Sequence, residues 1–270
     1  MRRAKLTRFA VLVFTVTIGA AMGGCASLVS SAASDFADNL SAAILNQDDP
    51  ETVKAAIPSY MLMLDSLVES NPTDPDVLSA TATLYASYGA VFADDPVRAK
   101  RLTRRARDYA QRAMCEDYAD ACNWRDQTYD EFVASLANVG ADDAGLLYTY
   151  GFSTLAYLQA HSDDWNALAE LPQAEALFDH YLAIAGEDAV ESSYVYMGIL
   201  LTLRPPALGG RPEEARDYFE KAIELSEGRD LSAKVEFAKG YAKTLYEREL
   251  HDQLLNEVIS ADPNACLLYT

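Results

Sequence analysis

Few residues in this chain could carry chemistry, and the spacing of each can be tested against what its chemistry requires. Gly209 and Gly210 stand in "ALGGRPEEARDYFEKAIEL" (207–225), directly before what reads as a helix. A glycine-rich loop at a helix N-terminus can cradle a phosphate, because backbone N–H groups and the helix dipole point at the anion. Here Pro212 takes the first helical turn and removes one of those N–H groups. Glu213 and Glu214 follow and already answer the dipole, so a phosphate would meet two carboxylates. No Lys-Ser or Lys-Thr follows the glycines, so the stretch reads as a tight turn between packed helices.

The remaining tests for catalysis also fail. His161, His180 and His251 form no H-E-x-x-H or other spaced metal set. Ser153, in "YGFSTL", lacks the second glycine of a nucleophile elbow. The pairs Asp94-Asp95, Asp142-Asp143 and Asp163-Asp164 lack the alternating ligands and central Gly of a calcium loop, and read as solvated helix ends or caps. The expectation is a binding protein rather than an enzyme, with no catalytic residue, no metal site and no cofactor.

The cysteines point to a compartment. "MRRAKLTRF" is a basic leader, and "AVLVFTVTIGAAM" (10–22) is an apolar stretch of secretory length, too short for a membrane span. "MGGC" follows and ends at Cys25; small residues before a cysteine at this place resemble a bacterial lipobox, with Met22 where Leu is usual. The other reading is an ordinary signal peptide that happens to contain a cysteine. The lipobox reading gives a signal peptide over 1–24, a lipidated Cys25 with a tether over 25–40, and a folded domain over 41–270. Ala26 rather than Asp follows the cysteine, so the expected address is the periplasm, tethered to the outer membrane by lipid chains alone. In that oxidising compartment Cys115 and Cys122 can pair and staple one loop, with Cys266 left over. Their C-x6-C spacing, with no nearby His or second pair, is poor for zinc. The formal net charge is −19, which argues against nucleic acid as a partner and against charge-driven docking on an anionic membrane.

The elements that must hold these residues are helices in a repeat. Ala215, Phe219 and Ala222 lie at spacings of four and three on one helix face, as in the second helix of a tetratricopeptide repeat. The same face recurs as Tyr60-Leu64-Leu67 with Pro72, Ala99-Thr103-Ala106, Ala174-Phe178-Tyr181, and His251-Leu255-Val258 with Pro263. The starts at 60, 99, 174, 215 and 251 give steps of 39, 75, 41 and 36 residues. The long step predicts a cryptic copy around "DEFVASLANV" (130–139). First helices precede these faces in "DVLSATATLYASYGAVFA", "GLLYTYGFSTLAYLQA", "SSYVYMGILLTL" and "SAKVEFAKGYAKTLY". Three of them carry a Gly after an aromatic residue or Met: Tyr88-Gly89, Tyr150-Gly151 and Met197-Gly198. Gly inside a helix costs about 1 kcal/mol against Ala, so its recurrence suggests close helix packing. The expected fold is all-α, with antiparallel helix pairs stacked as a tetratricopeptide-like superhelix.

Two features of such an array could bind. Tyr85, Tyr88, Tyr148, Tyr150, Trp165, Tyr194, Tyr196 and Tyr241 lie on or beside first helices, which line the concave side of a repeat superhelix. Tyr offers a ring and a hydroxyl, which suits a mixed cavity for a small ligand; the alternative for each is core packing. The second feature is "RAKRLTRRARDYAQR" (98–112), a cluster of cations in an acidic chain. It is either a solvated face balanced by nearby acids or, through Arg101, Arg104 and Arg105, a docking face for an acidic partner or another subunit.

"SYVYMGILLTLRPPALGGRPEEARDYFEKAIELSEGRDLSAKVEFAKGYAKTLYERELHDQLLNEVISADP" (193–263) resembles the T-component of TRAP transporters, the TatT family. The residues that carry the resemblance are Pro205-Pro206, Gly209-Gly210, Ala215-Phe219-Ala222, Gly228-Arg229, Tyr241-Ala242, and Arg248 with Leu250, His251, Leu254 and Leu255. The resemblance implies a lipid-anchored periplasmic accessory protein that forms trimers. It also implies an apolar, pore-like cavity, pairing with a periplasmic substrate-binding P-component, and a small ligand, hydrophobic or an organic acid. It brings no catalytic residues. A scaffold lipoprotein of outer-membrane or envelope assembly is the competing reading. The chain runs out at "CLLYT" soon after the last expected helix, so that end either packs elsewhere, as in a subunit interface, or lacks a capping segment.

Overall fold

The computed structural model describes residues 43–44 and 47–262. The leader, Cys25, the tether, Pro263 and Cys266 lie outside the described residues. The chain divides between Asp49 and Pro50 into two units. In the first, Ala43 and Ile44 are helical and the Gln47 N–H donates to the Ile44 carbonyl at 3.3 Å. The second is the helical body, in which no strand occurs among the described residues. The all-α class expected from the sequence is the class observed.

Proline and aspartate punctuate the body. Helices α1 (Pro50–Ser70), α2 (Pro75–Val91) and α3 (Pro96–Asp117) each open on a proline, whose fixed φ suits the first turn and whose missing N–H would be unpaired there anyway. Asp74 caps α2 by accepting from the Asp76 and Val77 N–H groups, and Asp95 caps α3 by accepting from that of Val97. Further on come α4 (Tyr129–Leu136), α5 (Ala144–Ala160), the one-turn α6 (Trp165–Leu168), α7 (Leu171–Ala185), α8 (Ser192–Thr202) and α9 (Pro212–Leu225). The body closes with α10 (Leu231–Glu236), which runs into a π-helical segment (Phe237–Ala242), and α11 (Arg248–Ser260).

Consecutive elements pair, and the pairs pack in chain order. α2 folds back on α3, α5 on α7, α8 on α9, and the π segment on α11; α3 also packs on α5, and α7 on α8. The glycines show why the pairs close. A methyl group at Gly89 would sit 3.0 Å from Thr103 Cγ2, one at Gly151 would sit 2.9 Å from Phe178 Cζ, and one at Gly198 only 2.6 Å from Phe219 Cε1. Each first-helix glycine therefore receives the middle residue of the recurring face on its second helix.

That face is buried where helices lie on both sides of it. Thr103 and Ala106, Ala174, Phe178 and Tyr181, and Ala215, Phe219 and Ala222 are all in the core. The end helices differ. In α1 the buried residues are Val53, Ile57, Met61 and Val68, while Leu67 is exposed, so the stripe is displaced by about one residue from Tyr60-Leu64-Leu67. In α11 only Leu254 is buried, and His251, Leu255 and Val258 are partly exposed. These helices have fewer described neighbours, so packing constrains their rotation less.

The Gly209-Gly210 stretch is a turn. Gly209 sits at φ +90°, and a Cβ on Gly210 would lie 1.8 Å from the Arg204 carbonyl oxygen. The N–H groups that a phosphate would need are already donated, Gly209 to Pro206 O at 3.1 Å and Gly210 to Pro205 O at 3.1 Å.

The cryptic repeat expected over 130–139 is corrected by the packing. α3 lies directly against α5, with no helix pair between them. The segment is instead an insertion: a 3-10 helix (Ala119–Asp126) followed by the eight-residue α4, which lies against α7. Phe132 and Leu136 are buried at a spacing of four, which imitates a repeat face, but Phe132 packs on Trp124. The Trp124 ring meets Phe132 edge-on at 5.4 Å and Tyr150 at 5.2 Å, and its Nε1 donates to Ser135 Oγ at 2.9 Å. A disulfide between Cys115 and Cys122 and two bonds from Gln111 Nε2, to the Ala121 and Cys122 carbonyls at 3.0 Å each, tie the insertion to α3.

The glycine contact gives a direct prediction. Gly198→Ala is expected to cost about 1–3 kcal/mol in denaturant unfolding, because the methyl group overlaps the Phe219 ring. Combined with Phe219→Leu, the loss should be smaller than the sum of the two single losses, since both changes act on one contact.

Candidate functional site

The aromatic residues singled out in the sequence fall into three groups. Tyr85, Tyr88, Tyr150 and Tyr241 are buried. Tyr148, Tyr194 and Tyr196 are half-buried. Trp165 is 71% exposed at the start of α6.

The buried four anchor the core. Tyr85 Oη donates to Asp65 Oδ2 at 2.7 Å and Tyr109 Oη to Asp65 Oδ1 at 2.9 Å, while the Arg105 guanidinium pairs with the same carboxylate at 3.1 Å. One carboxylate on α1 thus gathers side chains from α2 and α3. Burial, reinforced by the bond to Asp65, pushes the Tyr85 hydroxyl well above its usual range, so it stays a donor. Tyr88 Oη accepts from Arg98 Nη1 at 3.3 Å. Tyr241, in the π segment, has one hydroxyl proton to donate, to Glu247 at 3.0 Å or to Glu213 at 3.3 Å. Tyr150 lines a small cavity of about 10 Å³ with Thr154, Glu170, Gln173 and Arg125, room for about one water molecule.

The half-buried tyrosines do come together. Tyr196 stacks on Phe152 at 5.5 Å and on Tyr148 at 6.1 Å, forming an aromatic shelf between α5 and α8. Tyr148 Oη shares a hydrogen bond with Ser192 Oγ at 2.7 Å and donates to Tyr196 Oη at 3.5 Å. Burial raises the Tyr196 hydroxyl far above its usual range, helped by Tyr148. Close by in the chain, Tyr194 faces Tyr218 at 6.5 Å, and Tyr218 Oη donates to Asp179 at 3.5 Å. The shelf offers rings and hydroxyls, which suit a ligand with an apolar body and few polar groups.

The basic run is mostly consumed inside the molecule. Lys100 pairs with Asp163 at 2.6 Å, Arg105 with Asp65, and Arg107 with Glu170 at 2.6 Å; Arg112 donates to the Pro72 carbonyl at 2.8 Å. Arg104 bonds the His161 ring at 3.3 Å. Of this run, Arg101 alone has no such partner among the described residues. All three proposed docking residues are exposed; Arg105 is held by Asp65 and Tyr109 and Arg104 by the His161 ring, which leaves Arg101 unheld among the described residues.

Two features escaped the sequence. Arg107 is buried with its guanidinium 3.5 Å from the centre of the Tyr157 ring and its Nε unpartnered. Its partner Glu170 lies 63 residues away, so no local pattern could signal the pair. The second is an open groove of about 590 Å³ on the insertion, lined by Asp120, Asn123, Asp126, Gln127 and Glu131 among others. Its only sequence signal is the density of acid and amide side chains there. Among the described residues no cluster of His, Cys, Asp or Glu could hold a metal ion.

Desolvation by the groups around it raises the carboxyl of Asp179, a residue exposed at the surface, above its usual value, with the Tyr218 bond and Arg211 pulling the other way. A raised acid is costly to keep ionised, so the penalty is present at neutral pH and fades as pH falls through the folded value towards the unfolded one of about 3.9. Asp179→Asn should therefore raise Tm at pH 7, and calorimetry at lower pH should show that gain shrinking.

A family model described as TRAP transporter T-component matches residues 46–266, which takes in every described helix of the body. No curated protein matches the chain. The chain belongs to the TRAP transporter T-component family and is an accessory component of such a transporter.

Proposed function

We propose that this protein is a periplasmic lipoprotein, anchored to the outer membrane through Cys25, that pairs with the substrate-binding component of a TRAP transporter and holds a small ligand for it. The family match over 46–266 is the observation that carries this reading. The leader and "MGGC" supply the anchor, and no described helix is long and apolar enough to cross a membrane. The chain-order packing of helix pairs supports a tetratricopeptide-like array, a fold class that works by presenting surfaces rather than by catalysis. The ligand surface is the shelf of Tyr148, Phe152 and Tyr196, whose polar neighbour is Ser192. The other aromatics expected to line it lie elsewhere, Tyr85, Tyr88, Tyr150 and Tyr241 in the core, Tyr194 against Tyr218, and Trp165 at the surface. The assembly is a homo-oligomer, a trimer by family resemblance.

The test is affinity capture from periplasmic extract with the mature chain carrying Cys25→Ser, read by mass spectrometry. Stoichiometric recovery of a TRAP substrate-binding protein is expected. Recovery of envelope-assembly proteins without it would replace the transporter reading with a scaffold.

A further inference from the structure

The outer side of α3 carries a surface that the core does not use. Val97, Arg101 and Arg104 stand at spacings of four and three, so they share one helix stripe, and all three are exposed. Val97 is 75% exposed, although it is a large apolar side chain. The segment after α5 runs alongside this stripe. His161 meets Arg104 at 3.3 Å, and Asp163 meets Lys100 at 2.6 Å. Two residues along the segment thus correspond to one turn back along α3. Trp165, 71% exposed, follows two residues after Asp163 and opens α6 behind the Asp164 cap.

The charges here are specific. Asp163 neutralises Lys100. His161 is buried, and that burial lowers its pKa; the bond to the Tyr157 carbonyl opposes this, while Arg104, Lys100 and Arg107 add to it. His161 therefore stays neutral at pH 7 and adds no charge of its own, leaving Arg101 and Arg104 as exposed guanidinium groups without a carboxylate partner among the described residues. In a chain of net charge −19, two cations without a carboxylate partner on one helix stripe stand out, with the capping carboxylates Asp95 and Asp164 the nearest acids in the chain to Val97 and Trp165. At physiological salt a docking partner senses charges within about 8 Å, so the local sign governs the contact rather than the net charge. Trp and Arg are also the side chains most often found at the energetic centre of protein interfaces.

The geometry points to the exposed stripe of Val97, Arg101 and Arg104, together with Trp165 on the segment that Lys100 holds through Asp163, as the docking surface for an acidic protein partner. The partner it fits presents paired carboxylates to the two guanidinium groups and an apolar recess to the indole. This rests on the partner reading given above and locates it: the occupant is the substrate-binding component.

The test is binding of the purified substrate-binding component of the same transporter to the full mature chain, by calorimetry at 0.15 M salt. Arg101→Glu, the Arg101→Glu/Arg104→Glu pair and Trp165→Ala should each weaken binding by about tenfold or more. Arg248→Glu, at an exposed arginine on α11, should leave it unchanged. Thermal unfolding of each variant checks the fold, and Arg101→Glu removes no described contact. Raising salt should weaken the wild type more than the double variant. Wild-type binding that the variants leave intact would overturn this face while sparing the pairing. Absence of wild-type binding would remove both. Variants that change only the oligomeric state in sedimentation would assign the face to a second copy of the chain and overturn the proposal.

Discussion

The closure of three of the helix pairs depends on the absence of a single carbon atom. At Gly89, Gly151 and Gly198 the first helix leaves a gap, and Thr103, Phe178 and Phe219 of the second helix fill it. Interiors are packed densely enough that one methyl group in such a place forces a shift. The contact fixes the rotation of both helices, since only one face of each can meet the other so closely. With Gly151 turned towards Phe178, Tyr148 and Phe152 share another side of α5, where they meet Tyr196 of α8. The shelf is thus set by the packing behind it.

Charge does its work between pairs. Arg107 projects from α3, pairs with Glu170 at the start of α7, and covers the Tyr157 ring of α5. One side chain therefore joins three elements. A buried pair of this kind contributes little net stability against an apolar substitute, but removing one partner leaves a stranded charge, so it specifies which surfaces meet. Asp65 does the same for α1, collecting Tyr85, Tyr109 and Arg105 on one carboxylate. An acidic chain thus spends most of its basic run internally, and what is left over at the surface is concentrated at Arg101 and Arg104.

The sequence made the interior pairs readable because glycine and the four-three spacing are local signals. Gly151 and Ala174-Phe178-Tyr181, like Gly198 and Ala215-Phe219-Ala222, are patterns within one helix each, and each ends in the core. The insertion misled for a physical reason: Phe132 and Leu136 obey the same spacing, but Phe132 packs on Trp124 within the insertion rather than on a partner helix. The end helices misled because fewer neighbours constrain their rotation, so Met61 rather than Tyr60 is buried in α1. The roles of the aromatics were hidden because they depend on partners far along the chain. Tyr85 finds Asp65 at a separation of 20 residues, and Tyr148 finds Ser192 at 44. Spacing alone placed Tyr85 and Tyr148 in one class, although one is an anchor and the other belongs to the shelf.

The central claim is that helix packing leaves defined surfaces free for a transporter partner. Hydrogen–deuterium exchange on the full mature chain, with and without the purified substrate-binding component, tests it most directly. The account predicts added protection confined to the first turns of α3 and the segment through residues 161–165, with the paired interior of α8 and α9 unchanged. Protection spread through that interior, or centred on the groove beside α4, would contradict it.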